Sequence, residues 1–455
     1  MPRNDFRRRV YLIIGVFTVL SMLLTACAAP APQAPAPAEA PKATEPPVAV
    51  PATEAPAAPP AAAKMIELYH DKPSWADNTD KMGQSAAAAT NVGFVSVPSS
   101  EPTTYQPTVR AALGSDKAPD LFSWWSGYRM EDIVKAGGAA DLTDIWKKYI
   151  DSGEYSQGVA NAFTFDGKVY AVPLLTAYWV VYYNKPLFEQ NGLEPPTTWD
   201  EFVALNDALV AKGITPLAQT FVDRWQAFIM FEEMILRTQG PEFYDKLMRG
   251  EAKYTDPEVV AAMELWKELI DKGYLTNDYA FGTSSDTFLP AFQSGKVAMV
   301  PIGDWYSASL VGAGLEPGKD FDAFVMPNKN ADLPPALFFE AGPMLVGENS
   351  PNKEDAKKVA DWWMSVPAQD EWNGMMGFSP ANSKAAAPTV VGQGIQDWIN
   401  ANKAQLVLRY WEATPPDIVE TAVDEFARFM VNPDQYMDVL ESIQKKADQV
   451  WTERG

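Results

Sequence analysis

The sequence predicts an α/β fold built as two lobes, each with its own core. Two observations carry that expectation. A chain of 455 residues is long enough to bury two hydrophobic cores. Beyond residue 63, short apolar and β-branched runs alternate with punctuated amphipathic segments, the pattern of strands and helices stacked in layers.

The chain opens "MPRNDFRRRVYLIIGVFTVLSMLLTACAAP": arginines, an apolar stretch from Val10 to Leu24, then small residues. That stretch is short for a membrane-spanning helix, which needs roughly 20 apolar residues. Leu24-Thr25-Ala26-Cys27 resembles the lipobox of bacterial lipoproteins, and Cys27 is the only cysteine. The resemblance implies cleavage after residue 26 and lipid (palmitate among it) on the Cys27 thiol and new amino terminus; a short uncleaved signal anchor is the alternative. Residues 28–63 are almost entirely Ala, Pro, Glu, Thr and Val, too poor in apolar side chains to offset the entropy of ordering, so a disordered tether is expected. Proline stiffens such a segment to about 3.1 Å per residue, a reach of roughly 100 Å.

The folded part is expected to begin near Lys64. "MIELYH" (65–70) alternates as an opening strand, and "APDLFSW" (118–124) reads as another. "GKVYAVPL" (167–174) suggests a hairpin strand feeding "LLTAYWVVYYNKPLF" (174–188), an apolar run carrying Tyr178, Trp179, Tyr182 and Tyr183 before a break at Asn184-Lys185-Pro186. In "TTWDEFVALNDALVAKG", Thr198 and Glu201 form a capping box. Trp199, Phe202, Leu205 and Leu209 recur at helical spacing, and Gly213 ends the helix. In "DPEVVAAMELWKELIDKG", Asp256 is placed to cap and Pro257 opens the first turn. "NKEDAKKVADWWMSV" is a further helix, with Trp362 and Trp363 read as core.

Composition narrows function. The formal charge of -22 repels phosphates and anionic headgroups, so no nucleic acid partner is expected, and membrane contact only through the lipid. With His70 the sole histidine, His-pair zinc sites and the H-E-x-x-H arrangement are excluded. There is no G-x-S-x-G elbow and no phosphate-binding G-x-x-x-x-G-K-[ST] loop. No cofactor, resident metal or catalytic residue is expected.

Four segments in order then resemble one family: "APDLFSWWSGYRMEDIVKAGGAADLTD", "GKVYAVPLLTAYWVVYYNKPLFEQNGLEPPTTWDEFVAL", "FQSGKVAMVPIGDWY" and "GPMLVGENSPNKEDAKKVADWWMSVPAQDEWNGMMGFSPANS". They are similar to the bacterial extracellular solute-binding proteins of ABC importers, in the sugar-binding branch that includes maltose-binding protein. The resemblance implies a two-lobed periplasmic-binding-protein-like (type II) fold with several hinge crossings. Lobe 1 would comprise 64–176 and 327–372, and lobe 2 177–326 and 373–455. "VPLLTAY" would be the first crossing, "FDAFVMPNKN" (321–330) the return, and a third would fall near Gln369 to Gly377.

The same resemblance implies a monomer outside the cytoplasm that captures a neutral sugar or oligosaccharide and docks on permease transmembrane subunits. A sugar has apolar C–H faces that pack on aromatic rings and a hydroxyl rim that needs directed hydrogen bonds. Trp305 sits where relatives stack sugar, with a buried structural role as the alternative; Asp304 beside it would accept hydroxyl hydrogens or cap a helix. Of Trp124 and Trp125, at a strand end, one would line the cleft and the other pack beneath it. Trp225 matches another stacking position, with Asp223 and Arg224 as polar partners, although Trp225, Phe228 and Ile229 also have core spacing. Asp71 and Lys72 stand where maltose-binding protein has an Asp-Lys pair and would fork onto sugar hydroxyls, with an exposed loop pair as the alternative. Tyr178 would face the cleft or the lobe boundary, and Glu340 is a further candidate. Ala177 stands where maltose-binding protein has a polar side chain, so maltodextrin specificity does not carry over. A binder of a cationic solute such as a polyamine, a secreted glycoside hydrolase with two facing carboxylates and a surface sensor remain as alternatives; the lipobox and the order of the segments favour a carrier.

Overall fold

The computed structural model describes residues 63–99, 102–222, 224–276 and 288–454. Cys27, the leader and the tether lie outside them, as does Asp223. The described residues fall within one compact unit spanning 61–455.

The described residues form eleven strands: β1 (Lys64–His70), β2 (Val92–Pro98), β3 (Leu121–Ser123), β4 (Thr164–Phe165), β5 (Lys168–Val169), β6 (Ala171–Asn184), β7 (Thr215–Leu217), β8 (Val297–Gly303), β9 (Phe321–Phe324), β10 (Ala336–Val346) and β11 (Gln405–Leu408). Nine of them make one curled sheet in the order β2-β1-β3-β10-β6-β8-β7, with β11 on β10 and β9 on β6. β1 runs parallel to β2 and β3, whereas β10 is antiparallel to β3 and β6.

β6 joins the two halves of this sheet. Its first part, Ala171 to Tyr178, pairs with β10; its second, Trp179 to Asn184, pairs with β8 and β9. Every β6 residue except Leu175 and Asn184 is buried. The register slips at Gly342/Pro343, opposite Leu175 and Pro173, where prolines on both strands remove ladder donors. Side chains take up the carbonyls freed nearby: the indole N–H groups of Trp146, Trp363 and Trp372 donate to the oxygens of Ala171, Pro173 and Leu174 at 2.7, 3.0 and 2.7 Å. Part of the unusual tryptophan content therefore serves this strand rather than a ligand.

Local punctuation follows the chemistry of the sequence. Asp166 and Gly167, both at positive φ, make the two-residue turn between β4 and β5. The 199–211 helix carries the complete capping box: Thr198 Oγ1 accepts from Glu201 N at 3.2 Å and Glu201 Oε2 from Thr198 N at 3.1 Å. Thr198→Ala is expected to lower stability by about 1 kcal/mol in urea unfolding; an unchanged midpoint would show that the cap contributes nothing. Asp256 stands at the cap position of the 257–271 helix, but its side chain makes no cap bond and turns back to accept from Lys253 N at 2.8 Å. No described helix is long and apolar enough to cross a membrane.

Candidate functional site

The ends of β1 and β3, where open parallel sheets present ligands, open onto one small pocket. Asp71, Lys72 and Trp75 come from beyond β1, and Ser123 to Ser126 from the end of β3. Glu340 to Gly342 enter from β10, and Glu412 from the short 410–413 helix. Gly127, at φ +65, lets the chain after β3 come against that helix: a Cβ there would lie 1.8 Å from the Glu412 carbonyl oxygen. The space between them is about 50 Å³ and is open to solvent on one side.

Aromatic geometry decides which tryptophan faces the pocket. Trp124 is buried and donates its N–H to the Arg129 carbonyl at 3.0 Å. Trp125 stays partly exposed, edge-on to Trp124 at 5.3 Å, with Lys72 Nζ 5.9 Å from its centroid. Lys72 also pairs with buried Asp71 at 2.7 Å. Glu340 lies opposite Ala177 in the β6–β10 register. The carboxylate of one hinge strand thus stands beside the position where its neighbour has only a methyl group.

A second aromatic group adjoins the first through Arg409. The Arg409 guanidinium sits 3.2 Å from the Trp179 ring centroid and 5.0 Å from that of Phe228, and it donates twice to Glu232 at 3.0 and 2.8 Å. Trp179 meets Trp225 edge-on at 5.9 Å, and Trp225 meets Trp305 at 6.1 Å. Trp225 and Trp305 are partly exposed. The Trp305 indole lies over Gly303, whose absent Cβ would be 2.3 Å from its nitrogen. Trp411, also partly exposed, stacks on Phe228 at 5.9 Å and carries Arg129 4.6 Å from its ring.

The structure therefore brings Asp71, Lys72, Trp124, Trp125 and Glu340 to one pocket, with Trp225 and Trp305 in the adjoining group. Three candidates are placed otherwise. Asp304 is buried; Ser379 Oγ donates to its Oδ2, and the 306–312 helix has no side-chain cap. It neither caps nor reaches open space. Tyr178 is inside the core at 7 % exposure, because β6 is covered on both faces. Arg224, at φ +62, points to the 416–431 helix and pairs with Asp424 at 2.6 Å and Glu420 at 3.0 Å, so it is not free to serve a ligand beside Trp225. Trp75, Ser126, Arg409, Trp411 and Glu412 were not singled out from sequence. A tryptophan two residues beyond Pro73 and an arginine beside "YWEA" were the only signals available.

Burial sets the electrostatics. Desolvation pushes the Asp304 and Glu232 carboxyls up to about 7, the latter despite Arg409, and Glu412 up to about 8, with Glu340 adding repulsion. Glu340 is also raised, by burial, against the pull of Arg409 and Lys72. Between the ordinary carboxyl range near 4 and these values the native state binds more protons than the unfolded one. This contribution to stability is full below about pH 4 and is lost as pH rises through about 7 to 8. The melting temperature is expected to be higher at pH 5.5 than at pH 8.5, and Asp304→Asn to shrink that difference. A melting temperature that rises over the same interval would contradict the assignment.

A larger groove of about 890 Å³ lies elsewhere, between residues 195–200, 323–329 and the 390–402 helix. It includes none of the tryptophans of the two groups above.

The family model described as bacterial extracellular solute-binding protein matches residues 75–370. An ABC transporter extracellular-binding protein of Pyrococcus horikoshii is 27% identical over 282 residues, 61% of this chain and 62% of that one. The diacetylchitobiose-binding protein of Streptomyces coelicolor is 26% identical over 280 residues, again 61% and 62%. The chain thus matches a little under two thirds of the length of these relatives. Among solved structures, a bacterial solute receptor with a reported preference for β-D-galactopyranose superposes with a TM-score of 0.72 at 24% identity, covering 86% of this chain and 98% of that one. A chitin oligosaccharide-binding protein gives 0.70 at 24%, with 85% and 98% covered. These likenesses establish the two-lobed α/β fold. The chain belongs to the family of bacterial extracellular solute-binding proteins.

Proposed function

We propose that this chain is the solute-capturing component of an ABC importer, closing on a sugar or oligosaccharide and handing it unchanged to a membrane permease. The observation that carries the reading is the set of partly exposed indoles, Trp125 just beyond β3 beside the pocket, and Trp225 with Trp305, the latter just beyond β8, in the adjoining group. Flat rings suit the C–H faces of a sugar, and the Asp71, Lys72 and Glu340 side chains suit its hydroxyls. A few such rings at roughly 1 kcal/mol each, with charge-assisted bonds at about 2, reach micromolar affinity near -8 kcal/mol.

An open form binds the solute to one lobe, and hinge closure then brings the second lobe's aromatics onto it. The ligand shifts that equilibrium only by binding the closed form better. Lobes of 64–176 with 327–372 and 177–326 with 373–455, a lipid on Cys27, a position on the outer face of the cell membrane and a monomeric state complete the proposal. A thermal-shift screen with carbohydrates and polyamines tests it, since a ligand that binds only the native state raises the melting temperature. A rise with at least one carbohydrate supports it; a response to polyamines alone sinks it.

A further inference from the structure

We propose that the pocket corner formed by Glu340, Glu412 and Ser126 receives a protonated amine, so that the preferred solute is an amino sugar with a free ammonium group. This rests on the sugar-capture reading above and specifies the ligand at that same site.

Three acceptors meet at the corner without partners. Glu412 Oε2 is buried and accepts no hydrogen bond, with its residue 5% exposed. Ser126 Oγ is likewise unpartnered at 1% exposure. Glu340, a partly exposed residue lining the same space, has a carboxylate that no hydrogen bond or ion pair reaches among the described residues. An unmet buried acceptor costs about 1–3 kcal/mol, more if charged, so the arrangement is informative.

The nearby cations act on these carboxyls only at a distance, Arg409 and Lys72 on Glu340 and Arg409 and Arg129 on Glu412, while their hydrogen bonds and ion pairs go to other groups. Lys72 pairs with Asp71 at 2.7 Å. Arg409 is held by both bonds to Glu232. Arg129 donates to the Trp411 carbonyl at 2.9 Å and lies 3.8 Å from Glu420. Asp304 is a further acidic neighbour: Glu340 helps to raise its carboxyl, and it is itself tied to Ser379. Among the described residues, the corner therefore lacks a cation bonded directly to its acceptors. A neutral hydroxyl supplies a donor but no charge, leaving two facing carboxyls to share a proton. An alkylammonium supplies three N–H donors and the charge together, matching three acceptors beside the Trp125 ring. Binding then displaces the proton that the carboxyl pair holds in the empty pocket.

Titration calorimetry on the intact protein at pH 6 tests this with three probes of one shape: the β-1,4-linked glucosamine disaccharide, its N,N′-diacetyl form, and cellobiose. The free amine is expected to bind at least tenfold tighter than the other two, with an enthalpy that changes with the ionisation heat of the buffer as protons are released. Glu412→Gln, or Glu340→Gln should the first variant fold poorly, is expected to shrink that preference to less than threefold. Equal or tighter binding of the acetylated or neutral disaccharide overturns the inference and leaves sugar capture standing. Binding of none of a wider carbohydrate panel overturns both.

Discussion

Arg409→Ala is expected to destabilise the protein by about 3–5 kcal/mol, the typical result of breaking a buried ion pair on one side. Glu232, 1% exposed, receives both guanidinium bonds and the Tyr410 N–H at 2.8 Å. Removing the guanidinium leaves that carboxylate buried with one donor and strips the Trp179 and Phe228 faces of their cation. The same pair ties the 229–248 helix to the 410–413 helix, and so holds Glu412 at the pocket. Urea unfolding measures the loss. The double variant Arg409→Met with Glu232→Gln is expected to recover at least half of it, because no charge is then left buried without a partner. A single-variant loss under about 1 kcal/mol would mean the pair is solvated in solution.

Trp305→Ala is expected to weaken carbohydrate binding about tenfold or more while the melting temperature moves little. The indole packs on Gly303 and Trp225 yet remains partly exposed, so its loss removes stacking area more than core. Tenfold corresponds to about 1.4 kcal/mol, within the range of one aromatic contact plus its buried area. Trp225→Ala would act in the same direction through the shared edge contact. Unaltered affinity in the Trp305 variant would remove stacking at this residue from the account.

What could be read from sequence was local. The Thr198–Glu201 box and the strands delivering Asp71 and Trp125 depend on neighbours a few residues apart, and each is present in the structure. Residue type also pointed to Asp304 and Tyr178, but their burial is set by distant chain: Ser379 for the first, and for the second the layers covering β6. Arg224 is likewise placed by distant chain, since its partners Glu420 and Asp424 lie in a later helix. Glu412 carried no local signal at all. Its importance arises because Gly127 allows the 410–413 helix to approach the end of β3. Tryptophan abundance was ambiguous: some indoles bind the carbonyls of β6, and others stand at open edges.

The most direct trial of the account is to incubate purified protein with an oligosaccharide that shifts its melting temperature, then measure bound and free ligand and chromatograph the solution. One unaltered oligosaccharide held per chain, with no shorter product after prolonged incubation, is the predicted result. Steady release of cleaved sugar would contradict capture without chemistry.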